Sequence, residues 1–138
     1  MKKVILLLLT TFVAIVPIAC EDSTLIINCN KCFESLSDKM SLEIKLTIDS
    51  QNSFVPITFY RGNIDEGEIL LRDTSYFSIY NTPKVEFNQV YSAVAKYSKG
   101  GRVIFVVDGR VLKKKLDKNS CSNPCYVIQG DVLDLRLK

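Results

Sequence analysis

From Leu42 to Asp49 the chain alternates apolar and polar side chains through eight residues, Leu-Glu-Ile-Lys-Leu-Thr-Ile-Asp. Such a period of two is the period of a β-strand with one face buried and one wet, and no helix presents it. The same period recurs along the body of the chain. Val55, Ile57 and Phe59 repeat it around Thr58, with Pro56 marking an edge strand or a strand start because proline has no N–H to donate. Glu68 to Arg72 and Tyr76 to Tyr80 read as shorter strands separated by a turn at Asp73-Thr74-Ser75. Val90 to Tyr97 and Arg102 to Val107 flank Ser98-Lys99-Gly100-Gly101, a hairpin signal, and Asp108-Gly109 reads as a stronger one. The closing Val132 to Lys138 alternates again, with Leu133, Leu135 and Leu137 directed inward. Only residues 30 to 40 and 113 to 120 are suited to a helical turn. The expectation is an all-β chain of seven to nine strands forming a single two-sheet antiparallel β-sandwich, with no linker or low-complexity tract to divide it.

Ahead of this domain, Met1-Lys2-Lys3 and an uncharged run from Val4 to Ala19 have the form of a cleaved secretory signal. The run is shorter than the ~20 residues of a spanning helix. The expected organisation is a signal peptide over residues 1–19, an N-terminus and tether over 20–23, and the β-domain over 24–138. Removing Lys2 and Lys3 takes the formal charge from +3 to +1, which gives no reason to expect nucleic acid as a partner. The chain has no histidine, so Ser-His, Cys-His and His-ligated metal mechanisms are closed to it.

Cys20 ends the apolar run after Val16-Pro17-Ile18-Ala19. The small residue before cysteine resembles the lipobox of bacterial lipoproteins, from which Pro17 departs. That resemblance implies acylation of Cys20 and attachment to a membrane through its lipid. Glu21-Asp22 resembles the acidic export signal of Bacteroidetes-type lipoproteins. The C-terminal Cys121-x-x-Pro124-Cys125-Tyr126, leading into Asp131 to Lys138, is similar to the tail of small lipoproteins of the same type. Tyr91-Ser92-Ala93-Val94-Ala95-Lys96-Tyr97 resembles the penultimate strand of immunoglobulin-like and fibronectin type III domains, which implies a sandwich of that type. Together these resemblances imply a lipid-anchored protein of the bacterial cell envelope, at the outer membrane.

Four cysteines remain: Cys29 and Cys32 in C-N-K-C, and Cys121 and Cys125 in C-S-N-P-C. In an exported chain they predict two disulfides, with three connectivities open. Chain entropy favours joining the N-terminal pair to the C-terminal pair, since a loop of about a hundred residues is worth about 4.7 kcal/mol and a tiny one about 2. A Cys₄ zinc site fits less well, because 88 residues separate the pairs and the second is C-x₃-C. A redox role for Cys29 and Cys32 lacks the strand–helix context such motifs occupy.

Other candidates are weaker. Asn63 to Glu68 is acidic but lacks the spacing of a calcium loop. Asp131 with Asp134, or Asp65 with Glu68, are carboxylates without the opposed geometry that catalysis requires, and alternation puts Asp134 on the outer face with Arg136 and Lys138. Arg110, Lys113, Lys114, Lys115 and Lys118 form the densest basic cluster, suited to an anionic surface or to guarding a strand edge. Tyr60, Tyr76, Tyr80, Tyr91, Tyr97 and Tyr126 form an aromatic set expected to be mostly half-buried.

No cofactor and no enzymatic activity are expected. The expected function is non-catalytic binding, with a protein or glycan partner. The alternatives are an accessory subunit that pairs by strand addition, and a glycan-binding or inhibitor module. A strand-adding subunit should present one long edge free of charge and proline.

Overall fold

The computed structural model describes residues 27–138. The signal peptide, Cys20 and Glu21-Asp22 lie outside the described residues. The chain is all-β with antiparallel sheets, preceded by one turn of 3₁₀ helix at Cys29–Lys31. Its strands are β1 (Lys39–Met40), β2 (Glu43–Lys45), β3 (Val55–Arg61), β4 (Glu68–Ser75) and β5 (Ile79–Asn81). They continue as β6 (Val85–Glu86), β7 (Gln89–Lys99), β8 (Arg102–Asp117), β9 (Cys125–Gln129) and β10 (Val132–Asp134). A five-stranded sheet has the order β4-β3-β7-β8-β9, a three-stranded sheet the order β10-β2-β5, and β1 pairs with β6. One pairing is parallel, between β10 and β2, in which Leu133 lies opposite Ile44.

Alternation directs one face of each long strand into a common core. Val55, Ile57 and Phe59 enter it from β3, Tyr91, Ala93, Ala95 and Tyr97 from β7, and Leu112 from β8. Leu42, Ile44, Leu46, Leu133 and Leu135 enter it from β2, β10 and their flanks. Large residues sit across from small ones, with Ile57 opposite Ala95 and Phe59 opposite Ala93, so the layers interdigitate. Phe59 stacks on Tyr91 with ring centroids 5.6 Å apart.

The two innermost tyrosines carry their hydroxyls to fixed partners. Tyr97 Oη donates to the Leu135 carbonyl at 2.7 Å and accepts from the Thr47 N–H at 3.1 Å. One phenol of the five-stranded sheet thus closes two backbone groups beside the three-stranded sheet. Tyr91 Oη donates to the Glu86 carbonyl at 3.0 Å. Among the described residues no buried side-chain nitrogen or oxygen is left without a partner. Tyr91 and Tyr97 are thus core residues, whereas Tyr60, Tyr80 and Tyr126 are half-buried and Tyr76 is exposed.

Several elements differ from the sequence reading, each for a local reason. Asp108-Gly109 makes no hairpin, because β8 runs unbroken through it to Asp117. Gly109 is needed there for approach: a Cβ would stand 3.3 Å from Ser92 Cβ on the facing strand. The hairpin is at Gly100-Gly101, whose φ values of 58° and 75° suit a two-residue turn. Asp73-Thr74-Ser75 belongs to β4, and the reversal comes at residues 76–78, where the Ser75 hydroxyl donates to the Phe77 carbonyl. Residues 113–117 are strand, not helix. Pro56 does lie at a strand start, but β3 is a central strand: Pro56 pairs only with Thr74 of β4, and pairing to β7 begins at Ile57. The far edge of the sheet, β4, carries Glu68, Arg72 and Asp73.

Tyr97→Phe should destabilise the protein by about 1–3 kcal/mol in urea denaturation, since it strands the Leu135 carbonyl and the Thr47 N–H in the interior. Burial pushes the Tyr97 phenol above its ordinary value, with the negative field of Asp134 and Asp49 adding to the rise and the Thr47 N–H opposing it. Burial and the Asp73 hydrogen bond push Tyr80 up to about 12. The folded state therefore holds these protons where the unfolded chain releases them. Stability should be intact below pH 10 and fall as pH rises from about 10 towards 12. Absorbance of phenolate against unfolding followed by circular dichroism checks the order of the two events.

Candidate functional site

Arg102 to Asp117 is one strand of 16 residues with a different neighbour at each end. Its first part, residues 102–112, pairs with β7 over the full length of that strand, and residues 113–117 pair with β9. Residues 102–108 therefore have β7 on one side and, among the described residues, no ladder on the other. Within this open edge Val103-Ile104-Phe105-Val106-Val107 contains neither a charge nor a proline. Alternation turns Ile104 and Val106 towards the core and leaves Val103, Phe105 and Val107 on the outer face, 57%, 62% and 46% exposed.

The apolar outer face continues across the sheet. Val107 lies opposite Val94 of β7, Val111 opposite Val90, and Phe105 opposite Lys96. Near the Gly100-Gly101 turn, Asn52, Phe54, Pro56, Lys96, Ser98 and Val103 line a recess of about 230 Å³. Phe54 stands 6.2 Å from Tyr76 between ring centroids, and Phe77 beside it is 75% exposed.

Along the open edge a groove of about 350 Å³ separates β8 from the chain end, with Val106, Val107 and Asp108 on one wall and Asp134, Arg136 and Lys138 on the other. Four of its charges are paired, Asp108 with Arg110 and Asp134 with Arg136. Asp108 Oδ2 accepts the Asp134 N–H at 2.9 Å and lies 3.4 Å from Arg110 Nε. Arg136 grips the Asp134 carboxylate through Nε at 2.8 Å and Nη2 at 2.7 Å. That guanidinium holds the Asp134 carboxyl well below the usual carboxylate range, with Lys138 adding to the effect. Asp134 is thus half of an exposed ion pair with Arg136. Glu68 is likewise paired with Arg61 at 3.3 Å, at the base of the turn that holds Asp65.

The basic cluster does not form one patch. Strand alternation places Lys113 and Lys115 on the opposite face of β8 from Lys114. Lys114 reaches Asp38 at 3.1 Å and lies over the Phe87 ring at 5.2 Å. Arg110 is engaged with Asp108, and Lys118 lies just beyond the strand.

At this far end of β8, about 46 Å from Val103 at ~3.3 Å per strand residue, lie the cysteines. Cys29 is bonded to Cys121 and Cys32 to Cys125, with Cα separations of 5.7 and 5.5 Å. The two bridges are neighbours: the sulfurs of Cys32, Cys121 and Cys125 all lie within 4.8 Å of one another. Phe33 and Tyr126 exchange backbone hydrogen bonds of 3.0 and 2.8 Å, so the N-terminal segment also adds a short bridge to β9. The C-N-K-C segment is a 3₁₀ turn capped by the Asn28 side chain, not the head of an α-helix, and its thiols are consumed in structural bridges.

Val103, Phe105 and Val107 were not singled out from sequence, yet a signal for them exists. A strand apolar on both faces is the pattern of burial on both faces. The fold covers only one.

The paired bridges predict unequal costs. With one bridge formed the other closes only a loop of about eight residues, worth about 2.5 kcal/mol, whereas the first closes the 92-residue loop, worth about 4.6. Cys29→Ser/Cys121→Ser should therefore lose about 2.5 kcal/mol, and loss of all four cysteines about 7, more than the two single losses combined. Urea midpoints of the three proteins measure it.

No protein-family profile, no curated protein and no solved structure matches this chain.

Proposed function

We propose that this chain is a lipid-anchored, non-catalytic protein of the bacterial envelope that binds another component through the open edge and outer face of β8. Its domain is read as an immunoglobulin-like two-sheet sandwich, tethered to the outer membrane through an acylated Cys20 after removal of the signal. The observation that carries the reading is the stretch Val103–Val107: uncharged, free of proline, exposed on one face and unpaired along one side. Natural edge strands are protected by lysine, proline, bulges or cover; among the described residues Val103 to Phe105 have none of these, while Val106 and Val107 face Arg136 and Lys138 of the chain end across the groove. Its register to β7 runs without a shift, so no bulge interrupts the edge that an added strand would meet. The disulfides lie at the end of β8 near Asp117 and the exposed edge begins at the other, and an N-terminal anchor joined through the Cys29 segment leaves the apolar surface far from its attachment.

The exposed Phe54, Tyr76 and Phe77 favour a second reading, a shallow aromatic platform for glycan, for which loss of retention on polysaccharide in Tyr76→Ala and Phe77→Ala is the discriminating result.

A photo-reactive residue placed at position 105 on growing cells should yield one discrete adduct, and the same residue at exposed Glu66, remote from the edge, should yield none. Equal labelling from both positions, or none from 105, overturns the binding surface. Cys20→Ser should move the protein from the membrane to the soluble fraction, because one thioether-linked lipid and its companion chain supply the attachment. Retention in the membrane overturns the anchor.

A further inference from the structure

We infer that the component received at the β8 edge is a second copy of this same chain, docked antiparallel about a two-fold axis through Phe105. The inference rests on the strand-edge reading above and adds the identity and register of the occupant. Antiparallel pairing centred on Phe105 sets Val103 against Val107 of the second copy, Ile104 against Val106, and Arg102 against Asp108. The segment is thus self-complementary. Its apolar residues meet apolar residues on both faces, and the charge at each end meets its opposite. Arg102 is exposed, and the Asp108 carboxylate, whose Oδ2 holds the Asp134 N–H and Arg110 and whose Oδ1 accepts the Gly109 N–H, has one acceptor position left on Oδ1 for a further donor. A two-fold arrangement forms each of these off-axis contacts twice and the Phe105–Phe105 contact once.

The ends of the edge fit the same register. The open stretch stops where the chain crosses from β9 to β10 at Gly130: a Cβ on that residue would lie 2.2 Å from the Val111 carbonyl oxygen and 3.3 Å from Arg110 Cβ. An incoming strand must therefore end or turn opposite Gly109 and Arg110. In the Phe105-centred register the residues arriving there are Gly101 and Gly100 of the second copy, the tip of its hairpin, which carries no side chain to obstruct the approach. An unrelated extended segment has no reason to place two glycines and a reversal at that point.

Strand addition over seven residues buries far less than the ~800 Å² per partner of a standard interface, so the pairing is weak in dilute solution. Copies confined to one membrane surface meet at a high effective concentration, which offsets that weakness.

The test uses the full chain in its own membrane. Two differently tagged copies are co-expressed, one with Val103→Cys and one with Val107→Cys, and treated with a bismaleimide of about 8 Å reach. Residues directly opposite in an antiparallel pair have Cβ atoms about 5 Å apart, and a four-residue offset separates them by about 14 Å. The expected result is a mixed-tag dimer from 103 with 107, a same-tag dimer from Phe105→Cys, and none from Val103→Cys alone. Arg102→Glu should lower the 103–107 yield about fivefold by turning two attractions into two repulsions. A monomaleimide that labels Val103→Cys, with an unchanged melting curve, shows that the variant is folded and reachable. No 103–107 dimer in that protein, or equal 103–107 and 103–103 yields, overturns the inference. If the photo-reactive residue at 105 still gives an adduct of another mass, self-pairing fails while the strand-edge reading stands. If 105 gives no adduct of any mass, both fail.

Discussion

The ladder between β7 and β8 is the interaction from which the other features follow. It is regular from Gln89–Leu112 to Lys99–Arg102. On its inner face it sets Tyr91, Ala93, Ala95 and Tyr97 in the core, with Phe59 stacked on one tyrosine and the Leu135 carbonyl held by the other. On its outer face it leaves Val103, Phe105 and Val107 in water. Because β8 outruns β7, its remaining residues pair with β9 and lead to the disulfides. One strand therefore links three regions that sequence distance keeps apart.

The sheet strands were legible because alternation is written directly into side-chain chemistry. Val55-x-Ile57-x-Phe59 and Tyr91-x-Ala93-x-Ala95-x-Tyr97 expose their period without reference to any partner. The Gly100-Gly101 turn was legible for a related reason, since positive φ at two successive residues calls for glycine. Asp108-Gly109 misled because glycine has a second use. There it admits Ser92 of the facing strand, a requirement visible only once the two strands are side by side. The parallel pairing of β10 with β2 is likewise a fact of tertiary packing, joining segments about ninety residues apart whose patterns say nothing of each other.

The cysteines were legible as a pair of bridges, and entropy pointed towards long-range pairing, but their contiguity was not. Two adjacent bridges between the same two segments divide their work: one closes the large loop, and the other fixes the angle at which the segments meet. The Phe33–Tyr126 hydrogen bonds lie next to them and join the same two segments. The basic run Lys113-Lys114-Lys115 shows the reverse lesson. It is contiguous in sequence, but a strand splits it between two faces, and one of its members is occupied with Asp38 and Phe87.

The opposite border of the five-stranded sheet carries its own consequence. Along β4 the exposed positions include Glu68, Arg72 and Asp73, and charge at a border deters a further strand. The sheet therefore has one uncharged, apolar margin and one charged margin. In the self-pairing proposed above, the apolar margin of each molecule is consumed at the first step and only the charged ones are left outward. Such a pairing stops at two copies, and an apolar β-edge of this kind does not template a fibre.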